Sequence, residues 1–248
     1  MDSRHDQPRF TTTHWTIVLA AGDQSSPDYT RALNVLCETY WYPLYAYLRR
    51  RGYDTPQAED HTQGFFVSLL EGQSIAKADP KQGKFRSFLL ASLKNYLADE
   101  WGRSKAQKRG GRVNICSLDL GDGEMRYGRE PVDGFSAEKL FERSWAQAVL
   151  ARAMTRLKAE WAAANKHQMF EHLKRYLATE GDSTSYRDAA RQVDMTEGAV
   201  KVTVHRMRRR YGELVREEIA KTVARAEEID DELNALYAVL AEKSSDSL

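Results

Sequence analysis

Along this chain apolar residues recur at the three-and-four spacing of a helix face, and no stretch sustains the alternation that a half-buried strand needs. Trp15, Ile17, Val18 and Leu19 predict a short helix from Thr13 to Ala21, stopped by Gly22. Ser26 followed by Pro27, a cap and then proline at the first helical position, predicts a longer one. It runs through Tyr40, Trp41, Leu44, Tyr45 and Leu48 to Gly52, with a kink or break expected at Pro43. Thr55 and Pro56 repeat the start signal for a helix ending at Gly72, and a polar loop follows from Gln73 to Gly83. The next helix, opening near Phe85, has a core face of Leu89, Leu93 and Leu97, with Phe88, Asn95 and Asp99 on roughly the opposite side. Gly110 to Phe135 carries scattered glycine and aspartate, one proline and little periodicity, and reads as a linker. Beyond it, Ser136 caps a helix with the stripe Leu140, Phe141, Trp145, Val149, Met154 and Leu157, and a second helix from Gln168 to Leu177 ends before Gly181. The pattern predicts an all-α protein.

The segment from Ser185 to Tyr211 is the most specific. Ser185 with Asp188 opens one helix as a capping pair, and Thr196 with Glu197 opens another after a break at Asp194, which together make a helix-turn-helix. At the helical period, Val200, Val204, Met207 and Tyr211 share one face of the second helix, while Lys201, Val202, His205 and Arg209 share the other, with Arg206 at its margin. Lys201, Arg206, Arg208, Arg209 and Arg210 put five positive charges into this helix with no acid among them, the footprint of a helix that enters a DNA groove. A solvated amphipathic helix can carry such a run, but composition alone does not supply the capped turn.

These residues resemble the promoter-reading region 4 of the sigma-70 family, especially its extracytoplasmic-function (ECF) group. The family's Leu-Gly-(Ile/Met)-Ser turn, Glu-Gly-Thr-Val-Lys and His-Arg-x-Arg stand here as Val193-Asp194-Met195-Thr196, Glu197-Gly198-Ala199-Val200-Lys201 and His205-Arg206-Met207-Arg208. Asp194 replaces the preferred glycine, and aspartate tolerates a left-handed turn better than most residues. A second stretch, Ala58-Glu59-Asp60-His61-Thr62-Gln63-Gly64-Phe65-Phe66, is similar to the Ala-Glu-Asp-Leu-x-Gln-Glu-x-Phe signature of sigma region 2, with Gly64 in place of the usual glutamate. By that resemblance Asp60, Gln63 and Phe66 would bind the core polymerase. The helix after Phe85 resembles regions 2.3 and 2.4, and Asn95 aligns with the asparagine of the family's RIAxN segment. The resemblance implies minus-10 contacts from Lys84, Arg86, Phe88, Asn95, Asp99, Arg103, Lys105 and Arg109, and minus-35 contacts from Glu197, Lys201, Val202, His205, Arg206 and Arg209. An aromatic and an amide standing away from the core also suit a surface that stacks a splayed base, although Phe88 could simply pack against another helix.

Composition narrows the classes. The net charge of +1 averages basic stretches against an acidic C-terminal third, so the distribution of charge matters more than its sum. Cys37 and Cys116 form neither a disulfide framework nor a metal-ligand spacing, which fits a reducing cytoplasm. No apolar run approaches the roughly 18 residues of a membrane span, so no membrane association is expected. No phosphate-cradling glycine loop, nucleophile elbow, metal cluster or carboxylate pair is recognisable, and His167 and His172 stand at a spacing that suits no metal pair. A binding protein without cofactors is expected, not an enzyme.

The resemblance then implies a domain layout: a region 2-like domain over 1–112, a linker over 113–135, a region 4-like domain over 136–211 and an acidic helical extension over 212–248, as in planctomycete-type ECF variants. The function implied is that of a sigma factor, which binds core RNA polymerase, reads and melts the minus-10 element with its N-terminal domain, and reads the minus-35 element of promoter DNA with the helix-turn-helix. The alternative is a polymerase-independent helix-turn-helix regulator whose N-terminal domain senses or dimerises; a helical adaptor is a third class. Fully extended, a linker of roughly 25 residues reaches about 80 Å, comparable with about two turns of duplex. In the extension, Val215, Ile219, Val223, Ala226, Leu233, Leu236, Tyr237 and Leu240 form an interrupted apolar stripe among many acids. That stripe either meets a partner, an anti-sigma factor among the choices, or docks on the chain itself. Docking would bring its acids near the Lys201 to Arg210 face or the basic run after Trp101.

Overall fold

The computed structural model describes residues 15–71, 75, 78–79, 83–104, 121–130, 134–177, 183–223 and 225–242, and no strand occurs among them. In chain order the helices are α1 Thr16–Gly22, α2 Tyr29–Arg50, α3 Thr55–Glu71, α4 Phe85–Ser104, α5 Gly121–Tyr127, α6 Ala137–Ala163, α7 His167–Leu173, α8 Ser183–Gln192, α9 Glu197–Ala220 and α10 Glu228–Ala241. A 3-10 turn, Lys174–Leu177, continues α7.

Local signals set several of these ends. The Ser136 hydroxyl accepts from the Lys139 N–H at 3.2 Å to start α6, and the Thr196 hydroxyl accepts from the Ala199 N–H at 3.2 Å to start α9. At α3 the cap is Asp54 rather than Thr55. Its carboxylate accepts from the Gln57 N–H at 2.8 Å while the Gln57 side chain accepts from the Asp54 N–H at 3.1 Å, a reciprocal capping box. α2 begins at Tyr29, not at Pro27, with Ser26 and Pro27 in the preceding turn. Its helical run is unbroken through Pro43, where the sequence predicts a kink or break. Pro43 lies in a continuous buried run from Thr39 to Leu48, so packing on all sides outweighs the one hydrogen bond that proline removes.

That buried run determines the architecture. A helix apolar around its whole circumference must be covered on every side, and α2 is covered by α1, α3, α5 and, most extensively, α6. The sequence predicts helical domains over 1–112 and 136–211; among the described residues, buried side chains of both stretches belong to one cluster. Tyr40, Leu44, Tyr45 and Leu48 from α2 belong to the same buried cluster as Leu140, Phe141, Trp145 and Leu157 from α6 and Leu214, Val215 and Ile219 from α9.

Two further expectations change. The linker stretch contains α5, which lies against α2: a Cβ at Gly123 would stand 3.0 Å from the Trp41 ring, so a larger residue there would press on that ring. Glu124 accepts from the Tyr45 hydroxyl at 2.5 Å and pairs with Arg49 at 3.0 Å, and the Tyr42 hydroxyl donates to Glu130 at 2.9 Å. Residues 113–120 and 131–133 of that linker lie outside the described ones. The boundary expected at 211/212 falls inside α9, whose 24 residues continue from the recognition segment into the core without interruption.

A shared core predicts shared unfolding. Ile219→Ala removes a fully buried side chain from the C-terminal half of α9, and is expected to cost about 2–5 kcal/mol. Helix content and tryptophan fluorescence, from Trp15 and Trp41 in one half and Trp145 and Trp161 in the other, should shift together as one transition. Two transitions, with only one displaced, would contradict the single core.

Candidate nucleic-acid interface

The helix-turn-helix closes through backbone geometry. α8 ends at Gln192, Asp194 adopts φ 52°, and the Met195 N–H donates to the Ala190 carbonyl at 3.0 Å, a Schellman closure with aspartate at the left-handed position. Tyr186, Ala189 and Ala190 of α8 are buried with Val200, Val204 and Met207 of α9, so the predicted inner face of the recognition helix is the inner face observed. Tyr186 stacks on Tyr176 with ring centres 5.0 Å apart. Tyr211, half-buried, donates its hydroxyl to the Leu150 carbonyl at 3.1 Å, and burial pushes its pKa up to about 12.

The outward face is smaller than the charge count implies. Arg208 turns inward and gives two hydrogen bonds to the Tyr176 carbonyl, at 2.9 and 2.6 Å, closing the 3-10 turn behind α7. Arg210 binds Glu160, Glu213 and Glu217 at 2.7 to 3.1 Å. Lys201, Val202, His205, Arg206 and Arg209 stand exposed, with Val202 50% accessible. Lys201 pairs with Glu197 at 2.7 Å, and that ammonium holds the Glu197 carboxyl below its ordinary range. Arg209 lies 3.6 Å from Glu213, and Arg206 makes no ion pair among the described residues. The exposed set is a short cationic ridge with an apolar residue at its centre, the shape and chemistry that a major groove accepts.

The α4 candidates divide. Asn95 and Asp99 are exposed as predicted. Phe88 is not a free platform: it stacks on Phe85 at 5.9 Å and packs against the core, because Phe85 and Leu89 widen the buried stripe to its side of the helix. Arg86 is 7% exposed, lies over the Trp145 ring at 4.3 Å, and is paired with Glu142 at 2.5 Å and with Glu232. Lys84 is bound to Glu232 at 2.6 Å, so both cations are already matched within the chain. Arg103 sits in the last turn of α4, and Lys105 and Arg109 lie outside the described residues. Sequence reasoning missed the flank beside Asn95. There Tyr47, Arg51, Tyr53, Lys94, Leu97, Ala98 and Trp101 line a groove of about 510 Å³, with Trp101 76% exposed. A tryptophan four residues after Leu97 was the available signal.

On α3, Asp60 is exposed and Gln63 half-buried, whereas Phe66 is 4% exposed and packs on Phe65. Phe66 is therefore core, not surface. Gly64 has a structural reason: a Cβ there would overlap the Tyr96 hydroxyl, and Tyr96 packs edge-on against Phe65 at 5.8 Å. With Gly64 in place the Tyr96 hydroxyl sits directly over the α3 backbone; any larger residue would make that side chain move.

Among the described residues no group of three or more His, Cys, Asp and Glu side chains could hold a metal ion, and no helix is long and apolar enough to cross a membrane. His167 is exposed, with its nearest acid, Glu171, at 3.7 Å. Cys37 is a buried free thiol, and Cys116 lies outside the described residues. Comparison with known proteins finds no matching family model, no matching curated protein and no matching solved structure.

The ridge is held in place from its other end. Glu218, buried near the end of α9, accepts from Arg152 at 3.2 Å, Arg156 at 2.8 Å and Lys221 at 2.5 Å, and Arg152 also reaches Glu38 of α2 at 2.6 Å. Burial alone raises a carboxyl, but Lys221, Arg156 and Arg152 outweigh it here and hold Glu218 below its ordinary value of 4.5. A depressed carboxylate contributes stability above that ordinary value and loses it as pH falls through the folded one. Glu218→Gln should therefore cost on the order of 3 kcal/mol at pH 7, and its stability should converge on that of the native chain as the pH falls below 4.5. Denaturant titrations across pH measure the gap; a gap that stays constant into strong acid would contradict the assignment.

Proposed function

We propose that this chain is a DNA-reading transcription initiation factor of the sigma type. The observation that carries the reading is the recognition half of α9, which presents Lys201, Val202, His205, Arg206 and Arg209 outward from a capped helix-turn-helix. Its resemblance to ECF region 4, together with those of α3 and α4 to region 2 in the same order, supports promoter DNA and core RNA polymerase as partners. On this reading Asp60 on α3 and Asn95 with Asp99 on α4 are the exposed residues that meet polymerase and opened DNA, while Phe66 and Phe88 hold those helices in shape.

A second reading has a specific observation in its favour. α2 and α6 join both candidate DNA surfaces into one core, which suits a polymerase-independent regulator that binds duplex through α9 alone. The sigma reading requires α2 and α6 to part on the polymerase, because a shared core leaves the linker's reach unused.

The two diverge on polymerase. The full-length chain should co-elute with core RNA polymerase, and Asp60→Lys should weaken that association about tenfold without loss of helix content. No association with core enzyme, alongside tight duplex binding, selects the regulator.

On either reading Arg206→Ala should cost about 1–3 kcal/mol of binding to a selected duplex if the guanidinium meets a base edge. Binding isotherms on selected and scrambled duplexes measure it. Equal loss on both makes Arg206 a phosphate clamp, and no loss on either removes α9 as the reader.

A further inference from the structure

The last helix, α10, meets more cations than a terminal surface helix needs. Glu232, itself buried, binds Lys84 at 2.6 Å and Arg86 at the start of α4. Asp230 binds Arg216 of α9 at 2.6 Å. At the other end, Glu242 binds Lys139 of α6 at 3.0 Å, and its backbone carbonyl accepts from Arg143 at 3.4 Å. Cations from three other segments of the fold thus converge on one short helix, whose contacting acids span about 18 Å along its axis. Anions spread over that length also occur along a nucleic-acid backbone.

Anchorage differs on the two sides of this contact. Lys84, Arg86, Lys139, Arg143 and Arg216 belong to, or directly precede, helices fixed by Leu89, Leu93, Phe141, Trp145, Leu214 and Ile219, all buried. α10 inserts only Leu233 and Leu236 fully, with Ile229 and Leu240 partly covered, and it joins α9 through a segment in which Arg225, Ala226 and Glu227 are exposed. The cations belong to the helices of the core, and the occupant is a short helix that buries two apolar side chains, Leu233 and Leu236. Arg216 also stands ten residues beyond Arg206 on the same helix, about 15 Å along its axis, so a nucleic acid held by the reading face extends to the seat.

We propose that the surface beneath α10 is a second phosphate-binding seat for nucleic acid, formed by Lys84, Arg86, Lys139, Arg143 and Arg216, and that α10 occupies it as an internal polyanion. This rests on the DNA-binding reading given above. When α10 leaves, Lys84, Lys139 and Arg216 lose their carboxylate partners and Arg143 its carbonyl, while Arg86 keeps Glu142; the freed cations can match phosphates, and binding gains a salt-dependent component that the closed chain lacks. Of the acids in the extension, Glu213 reaches Arg209 at the edge of the reading face and Glu217 binds Arg210 within α9, while Asp230, Glu232 and Glu242 meet Arg216 of α9, the start of α4 and Lys139 of α6.

The test uses the full-length chain and a triple variant, Asp230→Asn with Glu232→Gln and Glu242→Gln, binding a 30-base-pair duplex of random sequence across a salt series. The variant is expected to bind at least about fivefold more tightly at low salt, with a steeper logarithmic salt slope by about 2–3, the contribution of two to four added phosphate contacts. The gain should persist when Arg206→Ala is added, since the seat is separate from the reading face. Equal affinity and slope in native and triple-variant chains, or a gain that vanishes with Arg206→Ala, would overturn the seat. The effect of Arg206→Ala in the otherwise native chain judges the helix-turn-helix reading separately. Hydrogen exchange on the native chain needs no variant: saturating duplex should strip protection from the α10 amides while α6 keeps its own, and unchanged α10 protection would overturn the proposal.

Discussion

A buried carboxylate with its matching cations holds this structure in register. Glu218 cannot remain charged in the interior without partners, and it draws them from α6 through Arg152 and Arg156 and from its own helix through Lys221. Arg152 extends the network to Glu38 on α2. One charge cluster therefore ties the N-terminal half, the central helix and the recognition helix into one assembly. Because α9 is continuous over 24 residues, about 36 Å, fixing its C-terminal half fixes the direction in which its N-terminal half points. The exposed face of the N-terminal half is fixed from both sides, by α8 beneath Val200, Val204 and Met207 and by the Glu218 cluster at the other end of the helix.

The two ends of α9 obey opposite rules. At the N-terminal end polar groups are satisfied locally, by the Thr196 cap and the Glu197–Lys201 pair, and side chains are left for a partner. At the C-terminal end they are satisfied across the fold, and little is left over. Arg208 and Arg210 mark the transition. Both are part of the basic run in the sequence, yet one closes the Tyr176 carbonyl and the other joins Glu160, so the exposed cationic ridge is Lys201, Arg206 and Arg209.

What was legible in the sequence was local. The Ser136 and Thr196 caps, the left-handed turn at Asp194 and the inner stripe Val200, Val204 and Met207 follow from chemistry within a few residues, and all are observed. What was not legible depends on distant neighbours. Phe66 and Phe88 lie at the edge of their helices' buried stripes, and only the packing of α3 and α4 decides that they are covered. Glu232 sits in an acidic run that reads as solvated, and only the arrival of Lys84 and Arg86 from nearly 150 residues earlier makes it a buried pair. Pro43 predicts a break that α2 does not show, because its neighbours are buried on every side. The Tyr96 hydroxyl over Gly64 is likewise visible only in space.

The proposed function places DNA against the exposed face of the N-terminal half of α9. A photo-crosslinking side chain introduced at Val202, exposed in the middle of that face, tests it most directly, with Tyr237 on the outer side of α10 as the comparison site. Position 202 should crosslink to bases of a selected duplex, with the crosslink lost on competition with the same unlabelled duplex, and position 237 should give none above background. Crosslinking from 237 but not from 202, at concentrations where the duplex is bound, would contradict it.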